Sequence, residues 1–283
     1  MSRILWKTCL QPPLDSVSYR HRYELYDGDV SIPRAVAFPE SEESLVELPD
    51  PRAQRALSRS GLLLVKAGLG CREAVAAFVA DDPFSVGIYC AMENGPNDFN
   101  SAKRMIGTPL EEFAATYKSL RSPKQYFKQL SNVPASQLAI FLGIMGPQNI
   151  YQHSKYACKH ALDQAEVDLQ EGTIKAALLC SAFSLEDPLL SMRTWLSVSP
   201  SSVLSEGAAA VVLVANGEYN RWHDDLPASN GHTFGIATDL IKLARRKDDN
   251  YRRSGIIPGS RKCDSQGSES EERGIASNNY TYR

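Results

Sequence analysis

Residues 208–214 read Ala-Ala-Ala-Val-Val-Leu-Val, and residues 176–180 read Ala-Ala-Leu-Leu-Cys, so both stretches are apolar at every position. A strand with one wet face alternates polar and apolar residues, whereas a strand apolar throughout needs cover on both faces. The two stretches therefore predict central strands, over 174–180 and 208–214, in a sheet sandwiched between helices. Shorter strands are expected over 3–10, 85–90 and 148–153. Helical spacing of apolar residues predicts helices over 51–67, 71–80, 110–120, 134–142, 155–170 and 234–245. The alternation of the two element types defines an α/β class with a buried, partly parallel sheet.

Residues 11–50, with several prolines and the acidic cluster Glu40, Glu42 and Glu43, read mainly as surface connection. Turn-rich stretches are expected over 93–100 and between the two central strands. From Arg246 onward Asp, Asn, Arg, Ser and Gly are in excess, which gives too little apolar surface to offset ordering entropy. Residues 246–283 are thus expected to form a polar, disordered tail behind a folded domain over 1–245.

The 283 residues suffice for a sizeable core. A formal charge of −2 argues for neither nucleic acid nor an anionic membrane as partner. The six cysteines are scattered without CxxC spacing, which excludes the usual zinc-site pattern and reads as buried thiols of a reducing compartment. Met1-Ser-Arg-Ile-Leu-Trp-Lys7 lacks the apolar core of a signal peptide, and no run is long enough to cross a bilayer. The expected location is the cytoplasm.

Four spaced segments carry a resemblance. The first is Leu130-Ser-Asn-Val-Pro-Ala-Ser-Gln-Leu-Ala-Ile-Phe-Leu-Gly-Ile-Met-Gly-Pro147. The second is the helix from Lys155 to Gly172, and the third is Ala176-Ala-Leu-Leu-Cys-Ser-Ala182. The fourth is Ser205-Glu206-Gly207-Ala208-Ala209. In order and spacing they resemble the N-terminal half of the β-ketoacyl synthases, in the thiolase-like superfamily. Residues 52–68 and 85–90 are similar to that family's first long helix and its following strand. The resemblance implies a thiolase-like layered αβα fold, incomplete, made mainly of the N-terminal half of a ketosynthase.

Condensing enzymes of that family need a thiolate at a helix N-terminus, where the dipole and free N–H groups lower the thiol pKa and hold an oxyanion. The family spacing, counted forward from Gly146-Pro147 or back from Gly172, arrives at Lys155. A lysine cation opposes the helix dipole there. It is either a tolerated residue in a dead site or a group that pairs with a carboxylate or phosphopantetheine, or forms an adduct once its pKa is depressed. Cys158 becomes the nucleophile only if the alignment slips on both sides; otherwise it is a core cysteine. Gly231-His232-Thr-Phe-Gly-Ile-Ala237 is similar to the family's second histidine motif, yet Pro227 stands where that motif's lysine is expected. The His-Gly-Thr-Gly-Thr and Gly-Phe-Gly-Gly motifs are missing from the sequence.

The resemblance thus implies a non-catalytic, chain-length-factor-like partner of an active β-ketoacyl synthase, in polyketide, aryl polyene or fatty-acid biosynthesis. The two subunits would pair through residues 148–153. No cofactor is implied beyond a carrier protein's phosphopantetheine thioester as ligand of the complex, and the acyl carrier protein is a second expected partner. Arg245-Arg246-Lys247 and Arg252-Arg253 form either a solvated tail face or a contact for that acidic carrier. Two alternatives remain: an active acyltransferase using Cys158 with His232, or a nonfunctional remnant whose half-fold exposes apolar surface.

Overall fold

The computed structural model describes residues 2–10, 12, 20–25, 28–33, 35–38, 48–152, 156–196 and 203–215. Five strands form the central sheet: β1 (Ser2–Leu10), β5 (Val86–Ala91), β6 (Gln148–Tyr151), β7 (Ala176–Phe183) and β9 (Gly207–Ala215). Their order is β1-β9-β7-β5-β6. β5 runs parallel to both β6 and β7, while β9 lies antiparallel to β7 and β1. The expectation of a partly parallel sheet is met.

Strand parity divides the core in two. On one face Val86, Ile88, Cys90, Leu178, Cys180, Ala210 and Val212 pack under α1 (Arg59–Leu69) and α6 (Asn132–Leu142). On the other, Tyr89, Ala91, Ala177, Leu179, Val211 and Leu213 pack under α7 (Ala157–Gln170). Because side chains alternate across a strand, the apolar stretches cover both faces at once, and the result is three layers, α/β/α. The sheet is slim at one end: Ala208, Ala209 and Ala210 lie beside Ala182, Ser181 and Cys180, and the bulkier Val211, Val212 and Leu213 lie further along.

α2 (Arg72–Asp81) ends at the Asp82-Pro83 break, as its residues predict, and α4 spans Leu110–Leu120. Gly143 closes α6 in the left-handed region at φ 72°, which a glycine adopts without a Cβ penalty.

Residues 11–50 are not merely surface connection. β2 (Arg20–Leu25) and β3 (Gly28–Pro33) form an antiparallel hairpin, and β4 (Ala35–Val36) pairs in parallel with β8 (Leu204–Ser205). Tyr23 and Ile32 are buried against Phe183, Leu185 and Leu204. Alternation of polar and apolar residues outweighs the nearby prolines here. The predicted helix over 51–67 divides: a 3-10 turn covers Ala53–Ala56, Leu57 is extended, and α1 starts after Ser58. Ser58 Oγ accepts the Gly61 N–H at 3.1 Å as an N-cap. Ser58→Ala is expected to cost about 1 kcal/mol of stability, read by chemical denaturation.

Three further helices occur: α8 (Pro188–Trp195) falls where irregular chain is expected, α3 (Phe99–Met105) begins at the end of the expected turn-rich stretch, and α5 (Pro123–Gln129) lies where no element is predicted. Asp98 and Asp187 cap two of them by accepting the N–H groups of Ser101 and Leu190, each at 3.0 Å. The predicted helix over 234–245 and the tail over 246–283 lie outside the described residues. Among the described residues, no helix is long and apolar enough to cross a membrane.

Candidate functional site at the carboxyl edge of the parallel strands

In open α/β sheets, ligands bind outside the carboxyl ends of the parallel strands. Here β5, β6 and β7 end together: Ala91 lies opposite Tyr151 and Ser181, and Met92 N–H donates to Tyr151 O at 3.1 Å. Since β9 is antiparallel to β7, its first residues lie at the same edge, with Gly207 opposite Phe183. β1 ends there too, with Leu10 opposite Ala208.

Glu206 is the hub of this edge. It is 1% exposed, and both carboxylate oxygens are saturated. Oε1 accepts from Arg59 Nε at 2.7 Å and from Leu185 N at 2.9 Å. Oε2 accepts from Arg59 Nη2 at 2.8 Å and from Phe38 N at 2.9 Å. Arg59 Nη2 also donates to Phe38 O at 2.8 Å, and Arg59 N donates to Glu186 Oε2 at 2.5 Å. One carboxylate thus fastens the start of α1, the segment after β4 and the end of β7. Burial raises the Glu186 carboxyl above the usual carboxylate range, opposed by the Arg59 N–H that it accepts.

Beside this hub lies an open groove of about 530 Å³, lined by His21, Tyr23, Phe38, Arg59, Lys128 and Glu186 among others. Burial pushes the Tyr23 phenol up to about 12, and its OH donates to Leu185 O at 2.8 Å. Burial lowers the His21 imidazole below its ordinary value, with Glu206 opposing. Two cations and two carboxylates balance in this groove, which suits orienting a polar group better than driving proton transfer.

The sequence-predicted residues are placed unevenly. Lys155 and His232 lie outside the described residues. Cys158 is the second residue of α7, 4% exposed, in the apolar cluster that holds Ala157, Ala161, Tyr89 and Ala91. Further along α7, the Asp168 carboxylate accepts the Tyr89 OH, and Glu166 accepts the Ser2 OH at 2.7 Å. His21 and His160 are the described histidines. His160 is exposed on α7, with its ring 6.3 Å from Tyr151 and 6.1 Å from Tyr156. Among the described residues, no three His, Cys, Asp or Glu side chains gather to hold a metal. Arg59 and Glu186 are absent from the sequence reading, because no local pattern ties them to Glu206. Glu206 itself stands in the Ser-Glu-Gly-Ala-Ala segment that carries part of the resemblance.

No protein-family model and no curated protein sequence matches the chain. Solved structures do. A β-ketoacyl synthase from Burkholderia phymatum STM815 aligns at 18% identity and TM-score 0.52, over 76% of this chain and 59% of that one. A ketosynthase in complex with its chain length factor, from Xenorhabdus doucetiae, aligns at 15% and 0.52, over 77% and 58%. A type II PKS acyl-carrier protein in complex with its ketosynthase gives 15% and 0.55, over 76% and 63%. The fold is therefore ketosynthase-like, in the layered thiolase-like manner expected. The chain spans about three-fifths of the length of these structures.

Proposed function

We propose that the chain is a non-catalytic, chain-length-factor-like partner of an active β-ketoacyl synthase. The complex would act in the cytoplasm on carrier-bound acyl thioesters in polyketide, aryl polyene or fatty-acid biosynthesis. The observation that carries this reading is the burial of Cys158 in the apolar cluster beneath the sheet, while the family spacing puts an amine, Lys155, at the nucleophile position. A thiol 4% exposed in an apolar cluster has the setting of a structural cysteine, out of reach of a carrier-bound thioester. Ketosynthase and chain length factor complexes among the structural neighbours support the same role. Among the described residues β6 is an edge strand, half-exposed over Asn149, Ile150 and Tyr151, and an edge of this kind can take a partner strand. In this reading residues 1–245 form the ketosynthase-like unit, and residues 246–283 are a polar tail.

Acyltransfer through Cys158, assisted by His232, is the second reading, favoured by the position of Cys158 in the first turn of α7. One experiment separates the two. The chain, co-expressed with a ketosynthase from the same cell, is purified, treated with an acyl thioester of the carrier protein, and mapped by mass spectrometry. The partner reading expects one-to-one recovery with the ketosynthase and an acyl group on the ketosynthase cysteine alone. An acyl adduct at Cys158, lost in Cys158→Ala, overturns it. A chain that recovers no ketosynthase and takes no acyl group supports the remnant reading instead.

A further inference from the structure

The four ionic side chains around the groove beside Glu206 are not equally engaged. Glu206 accepts four hydrogen bonds, two of them from the Arg59 guanidinium, so that pair is closed. Glu186 accepts one, from the Arg59 N–H at Oε2, and among the described residues its Oε1 accepts none. Lys128 stands in the last turn of α5, and among the described residues its ammonium makes neither a hydrogen bond nor an ion pair. It acts on Glu186 through space alone, favouring the charged carboxylate against the cost of burial. Lys128 and Glu186 are thus an ion pair left open in one groove.

The rest of the lining is largely apolar and rich in rings. His21 and Tyr23 meet edge to face, with ring centroids 4.6 Å apart, and Phe38, Leu57 and Leu62 continue the wall. Burial favours the neutral form of His21, so the wall adds no third cation. The volume of about 530 Å³ falls within the roughly 300–1,000 Å³ of small-molecule sites. The open pair selects the ligand. A ligand bearing only an anion satisfies Lys128 and meets repulsion from Glu186, and one bearing only a cation does the reverse. A zwitterion satisfies both and leaves the groove in charge balance. An α-amino acid carries its ammonium and carboxylate on a single carbon, with a side chain free to turn toward the rings. An aromatic side chain suits that wall best, because ring pairs gain from offset and edge-on contact.

We propose that this groove binds a free aromatic amino acid, with its carboxylate on Lys128, its ammonium on Glu186 Oε1 and its ring against His21, Tyr23 and Phe38. The ligand joins the end of α5 to the segment between β7 and α8. Every group belongs to one chain, so the site stands apart from the ketosynthase-partner reading.

The test is isothermal titration calorimetry of the full chain with L-phenylalanine, L-tyrosine and L-tryptophan. Two truncated forms of the first are compared: hydrocinnamate, which lacks the ammonium, and phenethylamine, which lacks the carboxylate. At least one of the three amino acids is expected to bind, and removal of either charged group weakens binding roughly tenfold or more. Lys128→Met should bring L-phenylalanine down to the affinity of phenethylamine, with phenethylamine bound no more weakly than before. Glu186→Gln should bring it down to the affinity of hydrocinnamate, again with hydrocinnamate bound no more weakly. Each variant keeps one ligand, so retained binding shows that its groove is folded. Lys124→Met, at an exposed lysine of the same helix, changes neither. No binding of any of the three amino acids up to about 10 mM overturns the proposal. So do truncated forms or L-alanine that bind as tightly as L-phenylalanine, and so does an unchanged affinity in Lys128→Met or Glu186→Gln.

Discussion

Glu206→Ala is expected to lower unfolding stability by about 3–5 kcal/mol, a large fraction of the roughly 5–15 kcal/mol that holds an ordinary domain folded. The carboxylate is 1% exposed and accepts four hydrogen bonds, two from the Arg59 guanidinium and two from backbone N–H groups. Its removal strands a part-buried cation and two buried donors, which is the costly way to break such a pair. Glu206→Gln keeps the shape and one acceptor oxygen, so it should lose roughly half as much. Guanidinium titration followed by far-UV circular dichroism measures both. Equal stability of Glu206→Ala and the parent would show that the four bonds contribute nothing.

Gly146→Ala is the second large effect. A Cβ there would lie 2.2 Å from Val86 O and 2.6 Å from Phe84 O. Both are backbone atoms, one in the first residue of β5 and the other two residues before it, so no rotamer change relieves the clash. By comparison, the Cβ of Gly68→Ala would meet the flexible Leu138 side chain. The Gly146 change should cost about 3 kcal/mol or yield insoluble protein, and Gly68→Ala should cost less. Thermal melts of the two variants side by side check the ordering. This gives physical content to the Gly-Pro turn: its glycine lets the β6 approach pass against the first residues of β5.

The strongest signals in the sequence are the continuous apolar stretches. The apolar stretches in β7 and β9 announce a doubly covered sheet, and both strands occur with ends shifted by at most a few residues. α4 and α7 were legible from apolar spacing, and the stop of α6 from Gly143. Short elements were hidden, because a hairpin of six-residue strands carries too little pattern to stand out among prolines. Two missed helices did have local marks: Asp98 and Asp187 sit at capping positions, the latter followed by a proline suited to a first turn. At the candidate site, Glu206 was visible through its motif, and its partner was not. Arg59 lies 147 positions away, and nothing in either local sequence specifies that distance. Only the folded sheet brings the two together. Cys158 was legible as the second candidate, whereas its burial follows from helix phase against a sheet whose position the sequence alone does not fix.

The slim alanine end of β9 sits at the edge where α1 and α7 begin, so the smallest side chains of the strand lie nearest Glu206. Ala208 and Ala210 belong to the cluster under α1, and Ala209 to the cluster under α7. Tolerance to change should therefore be directional. At Ala208, Ala209 or Ala210, one added methyl group acts as a lever that pries open Glu206 and its neighbours. At Val212 or Leu213, equally buried but further along the strand, the same change acts away from that carboxylate.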